Sequence, residues 1–238
     1  MAKRKSFPKL LGMGLIVFAA LYFTISYVVA PSAWFRYDRR HPALENLPGM
    51  TYTGAGIPAD PVNLSLVGTK AEVVKAMLAA QWYPADELSL RSCLEIAEAT
   101  VLKRPYDDAP VSSAYLFDRK EDLAFEQPVG DNPRQRHHVR LWQSKESEGD
   151  RPVWLGAATY DERVGLSRTT GQITHLTAAD IDAERDHLMH DLEQAHCLSK
   201  VDSIDDFHKV RQGRNGEGEP WHTDGRLLVG VINPAAGK

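Results

Sequence analysis

The stretch from Arg134 to Trp142 reads R-Q-R-H-H-V-R-L-W. In an extended segment side chains alternate, so Arg134, Arg136, His138 and Arg140 share one face while His137, Val139 and Leu141 share the other. The first face has the chemistry to hold an anion, because a guanidinium offers a planar fork of donors to a carboxylate or phosphate. A row of like charges also repels itself unless something acidic meets it. The acidic residues between Thr177 and Asp191 are one candidate counter-charge, and a bound phosphate or carboxylate is another.

A second constellation is His175 with Asp180 and Asp182, joined farther on by His222 and Asp224. Imidazole and carboxylate together suit Zn, Mn or Fe. Thr177, Asp180 and Asp182 suit a helix start equally well, where short polar side chains cap and acids complement the dipole. Glu184 and His187 have the i, i+3 spacing of a dinuclear carboxylate site, but no second copy of the pair accompanies them. Ser167-Arg168, His175 and Asp180 each miss by one residue the spacing with which a lipid phosphatase sets a histidine on phosphorus, and its two other motifs are absent, which excludes that mechanism. Gly213 to Gly218 lacks the strand-to-helix setting of a nucleotide loop and reads as a tight hairpin connection. Cys93 and Cys197 have neither ligand nor redox spacing; a disulfide and two buried free thiols both remain open.

These residues must be positioned by local elements. Val62 to Val67 alternates as a strand, and Thr69 with Glu72 forms a capping box for a helix from Lys70 to Trp82. A second helix is expected from Leu88 to Leu102, stopped by Pro105. Strands follow at Ser113 to Phe117, Leu123 to Gln127, Arg136 to Trp142 and Val153 to Tyr160, separated by Asp, Gly, Asn and Pro turns. A short strand at Gly171 to Leu176 leads to a helix from Ala178 to Ala195 capped by Thr177, with Ile181, Leu188, Leu192 and Ala195 as its buried stripe. Cys197 to Ile204 and Arg226 to Ile232 close the chain as strands. Because the strands come in a run and the helices at intervals, the expectation is an α+β fold: a mainly antiparallel mixed sheet with about three packed helices, preceded by one transmembrane helix.

That last helix rests on Leu10 to Ala30, 21 positions without a charge, about 30 Å of helix and enough to cross a hydrocarbon core. Trp34, Phe35 and Tyr37 follow as an interfacial aromatic cluster. A cleaved signal peptide is the competing reading, opposed by the length of the apolar run and by Pro31 directly after the small-residue box Val28-Val29-Ala30. Residues 1–9 form a basic tail, residues 31–60 a Pro/Gly-rich linker, and residues 61–238 the folded domain. Lys3, Arg4, Lys5 and Lys9 outweigh Arg36, Arg39 and Arg40, which by the positive-inside rule puts the N-terminus in the cytoplasm and the folded domain outside it. The first 40 residues carry a surplus of six positive charges, so a whole-chain charge of −4 leaves −10 on the remainder. A domain that acidic is not a general nucleic-acid binder.

Taken in order, P-V-N-L-S-L-V-G (61–68), Q-W-Y-P-A-D-E-L-S-L-R-S (81–92), R-P-Y-D-D-A-P-V-S-S-A-Y-L-F (104–117), R-H-H-V-R-L-W (136–142), G-A-A-T-Y-D (156–161), G-Q-I-T-H (171–175), D-I-D-A-E-R-D (180–186), G-R-N-G-E-G (213–218) and T-D-G-R (223–226) resemble the LssY C-terminal domain family. The likeness spans nearly all of residues 60–232. It departs from the family pattern at Leu176, where a second histidine is expected after Gln-Ile-Thr-His. The resemblance implies no established reaction. Members are often appended to membrane segments, including DedA-like and lipid-phosphatase-like ones, which implies a role in the bacterial envelope.

Three functions follow as expectations. The first is a single-pass inner-membrane protein whose periplasmic domain binds a partner, such as another membrane protein, or an anionic ligand through Arg134, Arg136, His138 and Arg140. The second is a metal-dependent hydrolase of envelope or lipid-phosphate substrates built on His175, Asp180 and Asp182. The third is a structural component of a membrane transport or secretion complex. Neither the catalytic residues nor a cofactor is identified by the sequence.

Overall fold

The computed structural model of the protein describes residues 7–29, 49–85, 113–130 and 135–234. The elements are α1 (Phe7–Thr24, continued by a π-helical turn Ile25–Val29), β1 (Met50–Thr53), β2 (Pro58–Pro61), β3 (Leu64–Val67), α2 (Lys70–Ala79), β4 (Tyr83–Pro84), β5 (Ala114–Leu116), β6 (Arg119–Lys120), β7 (Leu123–Pro128), β8 (Arg136–Glu148), β9 (Arg151–Leu166), β10 (Ile173–Thr177), α3 (Ile181–Gln194), β11 (Leu198–Ile204), β12 (Gln212–Arg214), β13 (Pro220–His222) and β14 (Leu227–Ile232). The expected helix at Leu88 to Leu102 and Cys93 lie outside the described residues, as does Arg134.

The large sheet runs β11-β14-β3-β9-β8-β7-β4, with β10 added along the distal half of β9. Its pairings are antiparallel except for β14 beside β3. All four residues of β3 are buried, as expected for a strand covered on both faces.

One face of this sheet carries α2 and α3. Val73, Val74 and Met77 from α2 and Leu188, Met189 and Leu192 from α3 pack on Leu64, Leu66, Phe125, Val139 and Leu141. The helices begin where their caps place them. Thr69 and Glu72 form the expected reciprocal box on α2. Asp180, not Thr177, caps α3 by accepting from the N–H groups of Asp182 and Ala183 at 3.1 and 3.2 Å. Thr177 instead ends β10.

The other face carries a small sheet, β2-β1-β5-β6, sealed to it by Ala114, Trp142 and Ala157. Within the stretch expected as linker, Met50–Thr53 and Pro58–Pro61 are strands of this sheet. Pro58 and Pro61 read as breakers in sequence, but β2 is the edge strand, where a missing N–H costs no ladder bond.

The N-terminal helix is long and apolar enough to cross a membrane over Gly12–Val29. Along that span Met13, Leu15, Ile16, Phe18, Leu21 and Phe23 are exposed, and the side chains covered by the domain are those of Tyr22 and Ser26.

Candidate functional site

Strand alternation gives β8 its two faces. Val139 and Leu141 point into the helix-covered core, and His137 joins them, stacking on His187 of α3 with ring centroids 4.1 Å apart. Arg136, His138 and Arg140 point the opposite way, towards the small sheet. They line a cleft with Asp161 of β9, Asp60 of β2, His175 of β10 and Glu217 from the β12–β13 loop. Its volume is about 70 Å³, and since one water needs roughly 10–15 Å³ of such space, it has room for a group the size of a small oxyanion and not for a whole nucleotide.

The acids that meet the ladder are not those of α3. That helix packs on the far face, so its Glu184 meets His137 instead, at 2.8 Å. Arg136 donates from Nε to Asp161 Oδ2 and from Nη1 to Glu126 Oε2, both at 3.0 Å. Asp161 lies directly across the ladder from Arg136 on β9, and Glu126 is one diagonal step away on β7. Arg140 donates to Asp60 at 3.2 Å. Arg140 Nη1 also lies 2.9 Å from His138 Nε2. A guanidinium can only donate, so His138 Nε2 accepts and its ring proton sits on Nδ1, 3.4 Å from Asp161 Oδ1.

His175 reaches the same carboxylate from β10, beside a β-bulge in β9. Leu176 pairs with Arg163 and Thr177 with Asp161, so Glu162 is an extra residue in β9. An extra residue reverses which side chains face which way beyond it. Val164, Leu166, Ile173 and His175 therefore share the cleft side of the hairpin with Asp161 and Thr177. His175 Nδ1 lies 3.2 Å from Asp161 Oδ2. The Nδ1 atoms of both histidines and Asp161 Oδ1 are buried without an aligned hydrogen bond, each able to bond to a water or a bound group.

The electrostatics follow from burial. Burial alone would raise the Asp161 carboxyl, but His138, His175 and Arg136 outweigh it and hold the group well below the usual carboxylate range. Burial lowers His175; Asp161 opposes that, and Arg136, His138 and Arg140 reinforce it. Burial raises the Glu217 carboxyl, a bond from Ser167 opposes the rise, and Asp60 adds to it.

The second constellation does not assemble. His175 faces Asp161, Asp180 is spent on its cap, and Asp182 is bonded to Arg185 at 3.0 Å and to Thr223 at 2.8 Å. Among the described residues no three His, Cys, Asp or Glu side chains are grouped as metal ligands. Asp60, Asp161, Glu126 and Glu217 escaped the sequence reading. Asp161 carried a usable signal, as it ends the G-A-A-T-Y-D block directly after the strand expected at Val153 to Tyr160, the next after the ladder.

Comparison with curated proteins finds no match, and comparison with solved structures finds none. The sequence model of the family described as LssY C-terminus matches residues 44–227, from just before β1 to the first residue of β14, with every cleft residue inside it. The chain belongs to the LssY C-terminus family.

Proposed function

We propose that the protein is a single-pass envelope protein of the inner membrane whose periplasmic domain binds a small anionic group, phosphate or carboxylate, in the cleft of Arg136, His138, Arg140 and His175. The observation that carries this reading is the convergence of two guanidiniums and two imidazoles on one cleft of oxyanion size. Asp161, Glu126 and Asp60 offset the arginine charges and fix the forks in place, so the donors are positioned before a ligand arrives. His175, partly exposed at the rim, is the adaptable member.

Anchoring is supported by α1, whose apolar side chains are largely turned outward from Met13 to Val29, a pattern suited to lipid. The basic tail supports its orientation. The test is thermal melting of the detergent-solubilised full chain with and without phosphate, for the native protein and for His175→Gln. The native melting temperature should rise with phosphate, and His175→Gln should keep the basal value while losing most of the rise. A native protein indifferent to phosphate and to small carboxylates sinks the reading.

A further inference from the structure

The tip of the β9–β10 hairpin is built against α1. Tyr22 Oη donates to the carbonyl of Gly171 at 2.6 Å, and Gln172 Nε2 donates to the carbonyl of Ser26 at 2.9 Å. Gly171 sits at φ +73°, and a Cβ there would lie 3.1 Å from Ser26 Oγ, so the turn fits the helix closely only with glycine. The turn is stiff: Ser167 Oγ accepts from the N–H groups of Thr169 and Thr170, and the Ser167 carbonyl accepts from Gly171.

This polar tip is followed by an apolar patch. Leu166 is 57% exposed, Ile173 65% and Val164 40%. Leu166 stands opposite Ile173, and Val164 opposite His175, so the patch and His175 lie on one face of one hairpin. Tyr22 and Ser26 are three to seven residues short of Val29, hence roughly 4–10 Å inside the end of α1. At roughly 3.4 Å per residue, His175 lies about 7 Å beyond Ile173 along the strand. That step matches the roughly 5–8 Å of headgroup region on each side of a bilayer's hydrocarbon core.

We propose that the β9–β10 hairpin seats the domain on the bilayer: Val164, Leu166 and Ile173 enter the interface of the leaflet beside α1, and the anion that the cleft takes is the phosphate of an anionic lipid in that leaflet. This rests on the membrane anchor and on the anion-binding reading above, and it names the source of the anion. Continuity with α1 decides for lipid over another occupant, since the patch adjoins, through the hairpin tip, the helix proposed above as the membrane anchor. Arg168 on the tip is neutralised by Glu219 at 3.1 Å, so the tip brings no unpaired charge to the bilayer.

The test uses the full chain reconstituted in phosphatidylcholine vesicles containing phosphatidylglycerol. An environment-sensitive fluorophore is placed on Ile173→Cys and, as control, on Asp150→Cys in the β8–β9 turn, with the unmutated chain labelled in parallel as the blank for native cysteines. Lipids with a shallow nitroxide should quench position 173 and leave position 150 bright. Release of the chain from the vesicles by alkaline carbonate defeats the anchor itself. Retention with equal responses at 173 and 150 overturns the seating, and so does a label shielded from water yet untouched by the lipid quencher, which assigns the patch to a protein partner. Melting in detergent then separates the sources of the anion. A short-chain phosphatidate should raise the melting temperature more than equal inorganic phosphate or short-chain phosphatidylcholine. An equal rise with inorganic phosphate overturns the lipid assignment while leaving anion binding intact, and no rise with any of the three removes both.

Discussion

His175 Nδ1 lies 3.2 Å from Asp161 Oδ2, and the contact exists because His175 stands two residues from Thr177, the partner of Asp161 on β10. The bulge at Glu162 decides which residues of β9 accompany His175 on the cleft face, Val164 and Leu166 in place of Arg163 and Gly165. The same carboxylate accepts from Arg136 and faces His138, so Asp161 ties β8, β9 and β10 together beneath the cleft.

Acidification should destabilise the protein in two stages. Burial lowers His175, against the pull of Asp161, and lowers His208 despite its bond to the Val62 carbonyl. Each therefore takes up a proton first in the unfolded chain, and its stabilisation, complete above about pH 6.5, is lost as pH falls through the folded value. Asp161 and Asp224 are held low against the effect of burial, the latter by Arg185 and Arg226, so theirs is complete above about pH 4 and is lost below that. Melting temperature against pH should show both declines, and His208→Gln should flatten the first. A melting temperature constant from neutrality to about pH 5 contradicts the burial of both imidazoles.

Removing Arg136 should cost far more than removing a surface arginine. Its partners Asp161 and Glu126 are buried with it, and truncating one member of a buried ion network strands the others, at about 3–5 kcal/mol. Arg136→Ala should unfold at clearly lower denaturant concentration than the native chain, while Arg163→Ala on the exposed hairpin flank should not. Equal midpoints for the two variants would place Arg136 in solvent.

The sequence made legible what depends on local period and turn chemistry. Alternation separated Arg136, His138 and Arg140 from Val139 and Leu141, and the capping box fixed the start of α2. What it concealed was set by neighbours distant in the chain. Nothing near Arg136 announces Asp161, 25 residues away, or Asp60 opposite Arg140. His175 and Asp180 are close in sequence, yet one belongs to a strand beyond a bulge and the other to a helix cap, so proximity suggested a ligand set that the backbone separates. Pro58 and Pro61 signalled a tether because sequence cannot distinguish a loop from a sheet edge.

Asn63 is a second residue whose importance comes from distant backbone. It is fully buried. Its Nδ2 donates to the carbonyls of Ala158 and Ile181, both at 2.8 Å, and its Oδ1 accepts from Ala158 N–H at 2.9 Å. One side chain thus joins β9 to the first turn of α3. Asn63→Leu leaves those groups unpaired at about 1–3 kcal/mol for each one stranded, and its melting temperature should fall by several degrees or more. Faster amide exchange at Ala158 than in the native chain would report the broken bond directly, and unchanged exchange would refute the bridge.

Arg185 offers the most discriminating test because its partners titrate. It is 1% exposed among the buried residues of α3, where Glu184 is the other charged member, and its guanidinium donates to Asp182 at 3.0 Å, Asp186 at 2.8 Å, Asp224 at 3.1 Å and the Arg226 carbonyl at 3.0 Å. Burial works against its charge, but Asp224, Asp186 and Asp182 outweigh that and hold the proton more firmly than usual. Arg185→Met keeps much of the volume and removes the charge, leaving Asp182 and Asp224 to repel each other. Asp186 is largely exposed and is screened by solvent. At neutral pH the variant should therefore lose stability, by about 3–5 kcal/mol if the burial is retained. Below about pH 4 the stranded carboxylates accept protons, so the deficit relative to the native chain should shrink. Denaturant midpoints for both chains across that range decide the matter. A deficit independent of pH would mean that Arg185 acts through packing of its stem and not through its ion pairs.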